Sequence, residues 1–545
     1  MANVVKIKWG IMASFAKKII KNNFTEILLF VVLLYQIYRY VFQASQIDVF
    51  STFAPLVDDA FIHLRFIEHF AEGHGFVWNI GEQPVEGFTS FLYVVFLGII
   101  QYCGGSPIHL LPWVGSISTI LILFATLWLL AYLNPKHHTE NITTVILLGF
   151  SPQLFFWSFS GLEISFYILF LIICVTLFTG YQLGKFTPWL VGSMFGILSL
   201  IRPEALGLFA VTVIYDSLTS LQTTKTIDVK RFINLFLSFS IVFLPVFFWK
   251  WWYFGYPLPN TYYAKTGAGL LQIQNGYIYT ISSIKQILNL PIIPIFLFVF
   301  AFYWVKHKQA LYLVVIIIVI CTMTTLSGGD HFSEARFLIP ILPFVFSLVS
   351  IGISHITPKV SMVSKFILLF GVLVFTYIVW KPSQPIINTN QVVEIAENEK
   401  LKFFYNWKVG YTLMGKALNE ITKPTDSIAV VPIGAIGYYS NIRVIDMVGL
   451  TDVKIAHEPF DPAYTSSWRP GHDKGNGIYI LNQKPTYIQL IDLLSSLPYQ
   501  GLLPESEYYK SVVEIWNSPE FLQLYEFYPI QIEGGWYYNL YRLKQ

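Results

Sequence analysis

For its first 380 or so residues the chain alternates long apolar runs with short charged or turn-rich connections. Apolar runs fall near 25–43, 108–131, 142–157, 163–183, 188–201, 205–218, 231–254, 289–305, 310–326, 337–355 and 363–380, with a weaker one at 88–103. Many approach the roughly 20 residues that a helix needs to cross a ~30 Å hydrocarbon core, so the pattern predicts a polytopic α-helical membrane protein with about eleven transmembrane helices. The 88–103 run is short for a crossing and is expected to be interfacial or re-entrant. Two half-length runs meet at "IRPEA", where Pro203 is expected to end the first helix.

After residue 381 the runs shorten to "SIAVV", "VIDMVGL", "GIYIL" and "TYIQLI", separated by Gly, Pro and Asn turns. "NWKVGYTLMGKALNEI" keeps helical spacing. Residues 382–545 are therefore expected to form a C-terminal mixed α/β domain, and residues 1–381 the transmembrane domain.

Charge sets the orientation. Lys6, Lys8, Lys17, Lys18 and Lys21 precede the first run, with no acid among them. An apolar core that long behind a basic segment predicts an anchor with a cytoplasmic N-terminus rather than a cleaved signal. The basic connections "NPKHHTEN", "GKF", "TTKTIDVKR", "VKHKQ" and "TPKVSMVSK" then all fall inside, provided 88–103 does not cross. The outer connections are "LVDDAFIHLRFIEHF", "FSGLEISF", "IRPEA", "YPLPNTYYAKTG" and "SGGDHFSEARFLIP", and the C-terminal domain is extracytoplasmic. The acids near the membrane gather on this outer side, which is where chemistry is expected.

Composition agrees with the pattern: 54% apolar, 12% charged, mean hydropathy +0.56. The net charge of +3 says little because the charges are segregated by location, and no nucleic-acid partner is expected. Cys103, Cys174 and Cys321 lie in or beside apolar runs, without disulfide or metal spacing.

Behind Asp58 and Asp59, apolar residues recur at helical spacing to Ala71, with Arg65, Glu68, His69 and Glu72 on the other side and Gly73 as a stop. The spacing predicts an amphipathic helix in the interface plane within a first outer loop at 46–90. Neighbouring residues on a helix point about 100° apart, so one aspartate is free to cap while the other serves as a base. Asp58, expected to precede the regular helix, is favoured as the base. In "SGGDHFSEARFLIP", Arg336 needs an anion, either Asp330, Glu334 or a phosphate, and His331 stands beside it. Lys265 in "YPLPNTYYAKTG" is a compact cation, while Tyr262 and Tyr263 suit a sugar face or an interfacial belt. Arg202 is expected to pair with Glu163 or Glu204, with phosphate contact in reserve. Glu86 is either a cap for 88–103 or a substrate ligand. "RPGHDKGNG" looks like a solvated loop, from which His472 is a candidate for shaping acceptor access. Asp58, Asp59 and Asp330 together suggest a divalent-cation alternative, although no metal-ligand spacing stands out. "PIGAIGYYS" lacks the spacing of a dinucleotide loop.

The blocks "DDAFIHLRF", "GHGFVWN", "GEQPVEGFTS", "RPEA", "PLPNTYYAKTG", "GGDHFSEARFLIPILP", "GAIGYYSNIRVIDMVGLTD" and "RPGHDK" resemble, in order, those of the mycobacterial terminal β-(1→2)-arabinofuranosyltransferase family. That family belongs to the GT-C superfamily of polyprenyl-phosphate-sugar-dependent glycosyltransferases. The chain departs from it in being rich in Lys, Ile, Asn, Phe and Tyr, and in carrying His331 and Ser333 where a Trp-containing stretch is expected. The resemblance implies a GT-C transmembrane domain with an outer cap and a base at Asp58 or Asp59. It also implies inversion at the anomeric carbon, a polyprenyl-phosphate-linked donor, a glycan acceptor, and a site in a bacterial cytoplasmic membrane that needs no cofactor. Lys265 and Arg336 would then meet the donor phosphate, with Arg202 and His331 behind them; Glu86, Tyr262, Tyr263, Asp330 and His472 would line the substrates. Broken helices with intramembrane charges also suit a transporter or flippase of a lipid-linked sugar.

Overall fold

The computed structural model describes residues 29–47, 56–226, 228–287, 308–332, 334–356, 392–393, 401–404, 407–462, 464, 468–504 and 506–545. The expected runs at 289–305 and 363–380, and the domain boundary at 381/382, lie outside them.

The apolar runs that fall within the described residues become helices. Among the described residues, Pro107–Leu133, Ile164–Gln182, Ala205–Thr224 and Val229–Phe254 are long and apolar enough to cross a membrane. The run at 142–157 is broken by Pro152 into His138–Gly149 and Pro152–Ser158. Helix Pro188–Ile201 stops where Arg202 adopts an extended backbone, as the residue before a proline prefers. Phe91–Tyr102 is a helix of 12 residues, ~18 Å long at 1.5 Å per residue and short of a ~30 Å core. One helix escaped the hydrophobicity pattern: Leu270–Ile287, whose Gln, Asn, Ser and Thr content dilutes the apolar signal. It packs against Lys308–Leu326. There Gly276 lies so close to Thr325 that a Cβ would stand 2.1 Å from its carbonyl oxygen.

The C-terminal region is a mixed α/β domain. Its strands are β1 (Val392–Val393), β2 (Phe403–Phe404), β3 (Ser427–Val430), β4 (Arg443–Asp446), β5 (Tyr487–Ile488), β6 (Leu494–Ser495), β7 (Tyr525–Gln531) and β8 (Tyr537–Leu543). They form one sheet in the order β1-β2-β6-β8-β5-β3-β4, with β7 paired to β8. One end is parallel, with β3 between β5 and the edge strand β4, and the rest is antiparallel. The expected run "GIYIL" is a short helix, Gly477–Asn482, capped by Asn476 through Tyr479 N.

The two regions share a core. On β3, Ile428 and Val430 face one way and Ala429 the other, the period-2 alternation of a strand buried on both faces. The first of these faces packs with Phe61, Leu64, Phe66 and Ile67 of the first-loop helix, Asp58–Ala71. That helix lies between Phe91–Tyr102 and Gly434–Ser440. Of its polar side, expected at a membrane interface, Arg65 is covered by the cap, Glu68 is half-buried and Glu72 is exposed. Arg65 is 5% exposed and donates to the carbonyls of Trp78, Gly437 and Ile442 and to Asn79 Oδ1. The guanidinium fits because its planar fork finds an acceptor in each direction.

Candidate active site

A cavity of about 420 Å³ opens where the first-loop helix, the loops around Lys265 and His331, and the C-terminal domain meet. Asp58, Asp59, Lys265, His331 and His472 all line it. The sequence placed these five residues on four separate segments spanning more than 400 positions, and the fold brings them together.

The two aspartates are the first two residues of their helix, and Val57 is the N-cap. Asp58 therefore does not precede the regular helix, and that ground for preferring it as base fails. Neither aspartate caps its own helix. Asp58 instead accepts hydrogen bonds from Gly434 N (3.0 Å) and Ala435 N (2.8 Å), at the start of the cap helix Gly434–Ser440. Free N–H groups at a helix start favour a carboxylate. Only glycine permits this approach at 434, since a Cβ there would stand 2.1 Å from the Asp58 carbonyl oxygen. Asp59 turns the other way and meets Arg336 Nη1 at 3.3 Å.

Arg336 is held by two carboxylates. Its Nε and Nη2 bond both oxygens of Asp330 at 2.5 and 2.6 Å, and Nη1 reaches Asp59. The loop before it runs through left-handed backbone at Glu334 and Ala335, with Trp157 Nε1 donating to Glu334 O at 2.9 Å. The Lys265 ammonium is different: among the described residues no ion pair or hydrogen bond engages it. Its stem lies against Gly471, with Cε 3.2 Å from where a Cβ would sit there.

These neighbours set the protonation states. Burial would raise the Asp59 carboxyl, but the positive charges around it, Arg336 foremost and then Lys265, outweigh burial and hold it at about 2. Burial pushes the Asp58 carboxyl up to about 7 against its two N–H donors, with the Asp59 charge adding to the rise. Burial lowers Lys265, opposed by Asp59. It also lowers His331, and it takes His472 to about 3. The two imidazoles, with ring centroids 4.5 Å apart, are thus neutral hydrogen-bonding groups near pH 7.

The "RPGHDKGNG" stretch is not solvated. His472 faces the cavity, Asp473 is buried and accepts from Arg469 N, and Lys474 Nζ donates to the carbonyls of Tyr263 (2.7 Å) and Ala456 (2.8 Å). Tyr263 stacks on His457 and Tyr262 is 48% exposed, so neither lines the cavity. Glu86 pairs with Lys250 away from it. Arg202 pairs with Glu163 at 3.3 Å and Glu204 at 2.9 Å, beside a separate small pocket with Tyr167 and Phe337. Among the described residues no three His, Cys, Asp or Glu side chains are placed to hold one metal ion.

Several supporting residues lay outside the sequence reading. Asn260 Nδ2 bonds the carbonyls of Gly449 and Leu450, tying the Lys265 loop to the cavity wall. Asp446 folds that wall by accepting from the backbone N–H groups of Val448, Gly449 and Thr451. The adjacency of "PLPN" to a helix start and of "IDMVGLT" to a strand end was the available signal, but nothing local joined the two.

Comparison with known proteins bears on the fold. Residues 398–541 match a family model described as "Domain of unknown function (DUF8728)". No curated protein matches by sequence. Among solved structures, ArnT from Cupriavidus metallidurans bound to undecaprenyl phosphate is similar with a TM-score of 0.50 at 9% identity, covering 78% of this chain and 86% of that one. The archaeal oligosaccharyltransferase AglB from Archaeoglobus fulgidus, in complex with an inhibitory peptide and a dolichol-phosphate, has a TM-score of 0.50 at 12% identity. That match covers 78% of this chain and 65% of AglB. Both are GT-C proteins. The chain thus has the fold of GT-C membrane glycosyltransferases, with a mixed α/β domain at its C-terminus.

Proposed function

We propose that the chain is an inverting glycosyltransferase that moves a sugar from a polyprenyl-phosphate donor to a cell-envelope glycan at the outer leaflet of a bacterial cytoplasmic membrane. The observation that carries this reading is the cavity lined by Asp58, Asp59 and Lys265, in which Asp58 meets only backbone N–H groups among the described residues while Asp59 is held by Arg336, which lies behind the cavity wall. Outside the membrane an activated sugar must arrive on a lipid, and the undecaprenyl phosphate and dolichol-phosphate of the two structural neighbours suit that donor class. The resemblance of the sequence blocks to arabinofuranosyltransferases favours arabinofuranose as the sugar.

The reaction follows from the arrangement. An acceptor hydroxyl attacks the anomeric carbon, and a new C–O bond forms as the bond to the phosphate oxygen breaks. The electron pair leaves with the polyprenyl phosphate, whose growing charge is stabilised by the Lys265 ammonium and by imidazole N–H donation. The hydroxyl proton passes to Asp58. A base is most useful with a pKa near the working pH, and Asp58 at about 7 fits this better than Asp59 at about 2. Asp59 and Asp330 instead hold Arg336 in place. Residues 1–381 form the membrane unit on this reading and 382–545 the outer cap.

Linkage analysis of the envelope glycans of a deletion strain tests the proposal. One missing terminal residue identifies donor, acceptor and linkage together, and an unchanged glycan profile contradicts the reading.

A further inference from the structure

The cavity has a second polar side that the transfer step above does not use. Tyr411 and Asp492 both line it, and the Tyr411 hydroxyl donates to Asp492 Oδ2 at 3.3 Å. Both come from the cap, from the helix Trp407–Ile421 and the segment after β5. Tyr509 adds an aromatic face between them and His472, its ring centroid 6.1 Å from that imidazole. Electrostatically Tyr411 feels Asp492, Tyr509 and Asp58, whereas Asp59 feels the cations. A carboxylate on this side repels a phosphate.

A side pocket continues from the same wall. It shares Val431, Pro432, Asp492 and Tyr509 with the cavity and adds Ser506 and Gln489. Its volume is about 10 Å³, room for one water or one hydroxyl group. Ser506 is 1% exposed, and its hydroxyl has no hydrogen-bond partner among the described residues. A buried hydroxyl left without a partner costs free energy unless something fills the place beside it.

We infer that Asp492, Tyr411, Tyr509 and Ser506 form the acceptor subsite, in which the cap grips the terminal ring of the glycan by its hydroxyl groups. The carboxylate accepts from one or two ring hydroxyls, the Tyr509 face covers the C–H side of the ring, and one further hydroxyl enters the side pocket beside Ser506. The ring is then held on the Asp58 side of the cavity, where its attacking hydroxyl must lie. At about 420 Å³ the cavity is at the small end of ligand pockets, so only the end of the acceptor enters. The inference rests on the proposed transferase reading.

The test measures sugar transfer by the purified full-length protein in lipid nanodiscs, from a polyprenyl-phosphate-linked arabinofuranose to an arabinofuranose trisaccharide. Asp492→Asn is expected to raise the trisaccharide KM about tenfold or more, the loss typical of a hydrogen bond to a charged group, and to leave the donor KM in place. Ser506→Ala and Tyr411→Phe, which keep shape, are expected to move the same constant in the same direction by less. If the wild type transfers sugar and all three variants leave the trisaccharide KM unchanged, or move the donor KM instead, the subsite is wrong and the transferase reading stands. If the wild type moves no sugar from the donor, the transferase reading fails and the subsite falls with it.

Discussion

At the residue scale the doubled aspartate divides its work between two partners. Asp58 reaches out to the cap and Asp59 back to Arg336, because adjacent helical residues point about 100° apart. Asp58→Asn keeps one acceptor oxygen for the cap helix but removes the proposed base, and transfer is expected to fall about 10²–10⁴-fold. In the wild type the rate should rise with pH through about 7 as Asp58 ionises, and a rate profile from pH 5 to 9 checks this. The stability signs run oppositely. The Asp58 pKa is raised in the fold, so its contribution is complete below about pH 4 and is lost as pH rises through about 7. The Asp59 pKa is depressed, so its contribution is complete above about pH 4 and is lost as pH falls through about 2. Lys265→Met removes an ammonium that no ion pair or hydrogen bond among the described residues engages, and is expected to weaken binding of the donor phosphate with little change in melting temperature; titration with a polyprenyl phosphate measures it.

At the scale of elements, the first-loop helix is as much part of the cap as of the membrane region. Phe66 is fully buried against Trp78 and Phe88, with ring centroids at 5.7 and 4.8 Å. Phe66→Ala is expected to cost about 3–5 kcal/mol, read as a fall in thermal midpoint. Arg65→Met should cost at least as much, because it leaves buried carbonyl groups of Trp78, Gly437 and Ile442 without donors. Much of this was legible in the sequence. The helix at 58–71, its stop at Gly73, the break before Pro203, and the strands at 427–430 and 443–446 follow from periodicity and turn chemistry. The partners of the polar face were not. Arg65 and Glu68 look alike on a helical projection, and only tertiary structure decides that one is buried beneath the cap. Likewise "GAIGYYS" was rejected as a nucleotide loop on sound grounds, yet its helix start holds Asp58, a contact across 376 residues. Arg336 had three candidate anions, and the geometry chose Asp330 together with an aspartate that was not among them.

For the whole molecule, the shared core makes the cap a wall of the site rather than an appendage. Val448 and Leu450 line the cavity from a loop folded by Asp446 and tied down by Asn260, so membrane and cap elements fix one another. A chain truncated after residue 381 would expose Phe61, Leu64, Phe66 and Ile67, and is expected to yield little folded protein in detergent by size-exclusion chromatography. The central claim is that this cavity transfers a sugar from a lipid phosphate with Asp58 as base. Its most direct measurement follows a polyprenyl-phosphate-linked arabinofuranose and an arabinofuranose trisaccharide acceptor incubated with the purified protein, the Asp58→Asn variant and the Asp59→Asn variant. The account predicts release of polyprenyl phosphate with a new glycosidic bond of inverted configuration in the wild type, and loss of that product in a folded Asp58→Asn variant. Full-rate transfer by both variants, or movement of the lipid-linked sugar across the bilayer with no glycosidic bond formed, would contradict it.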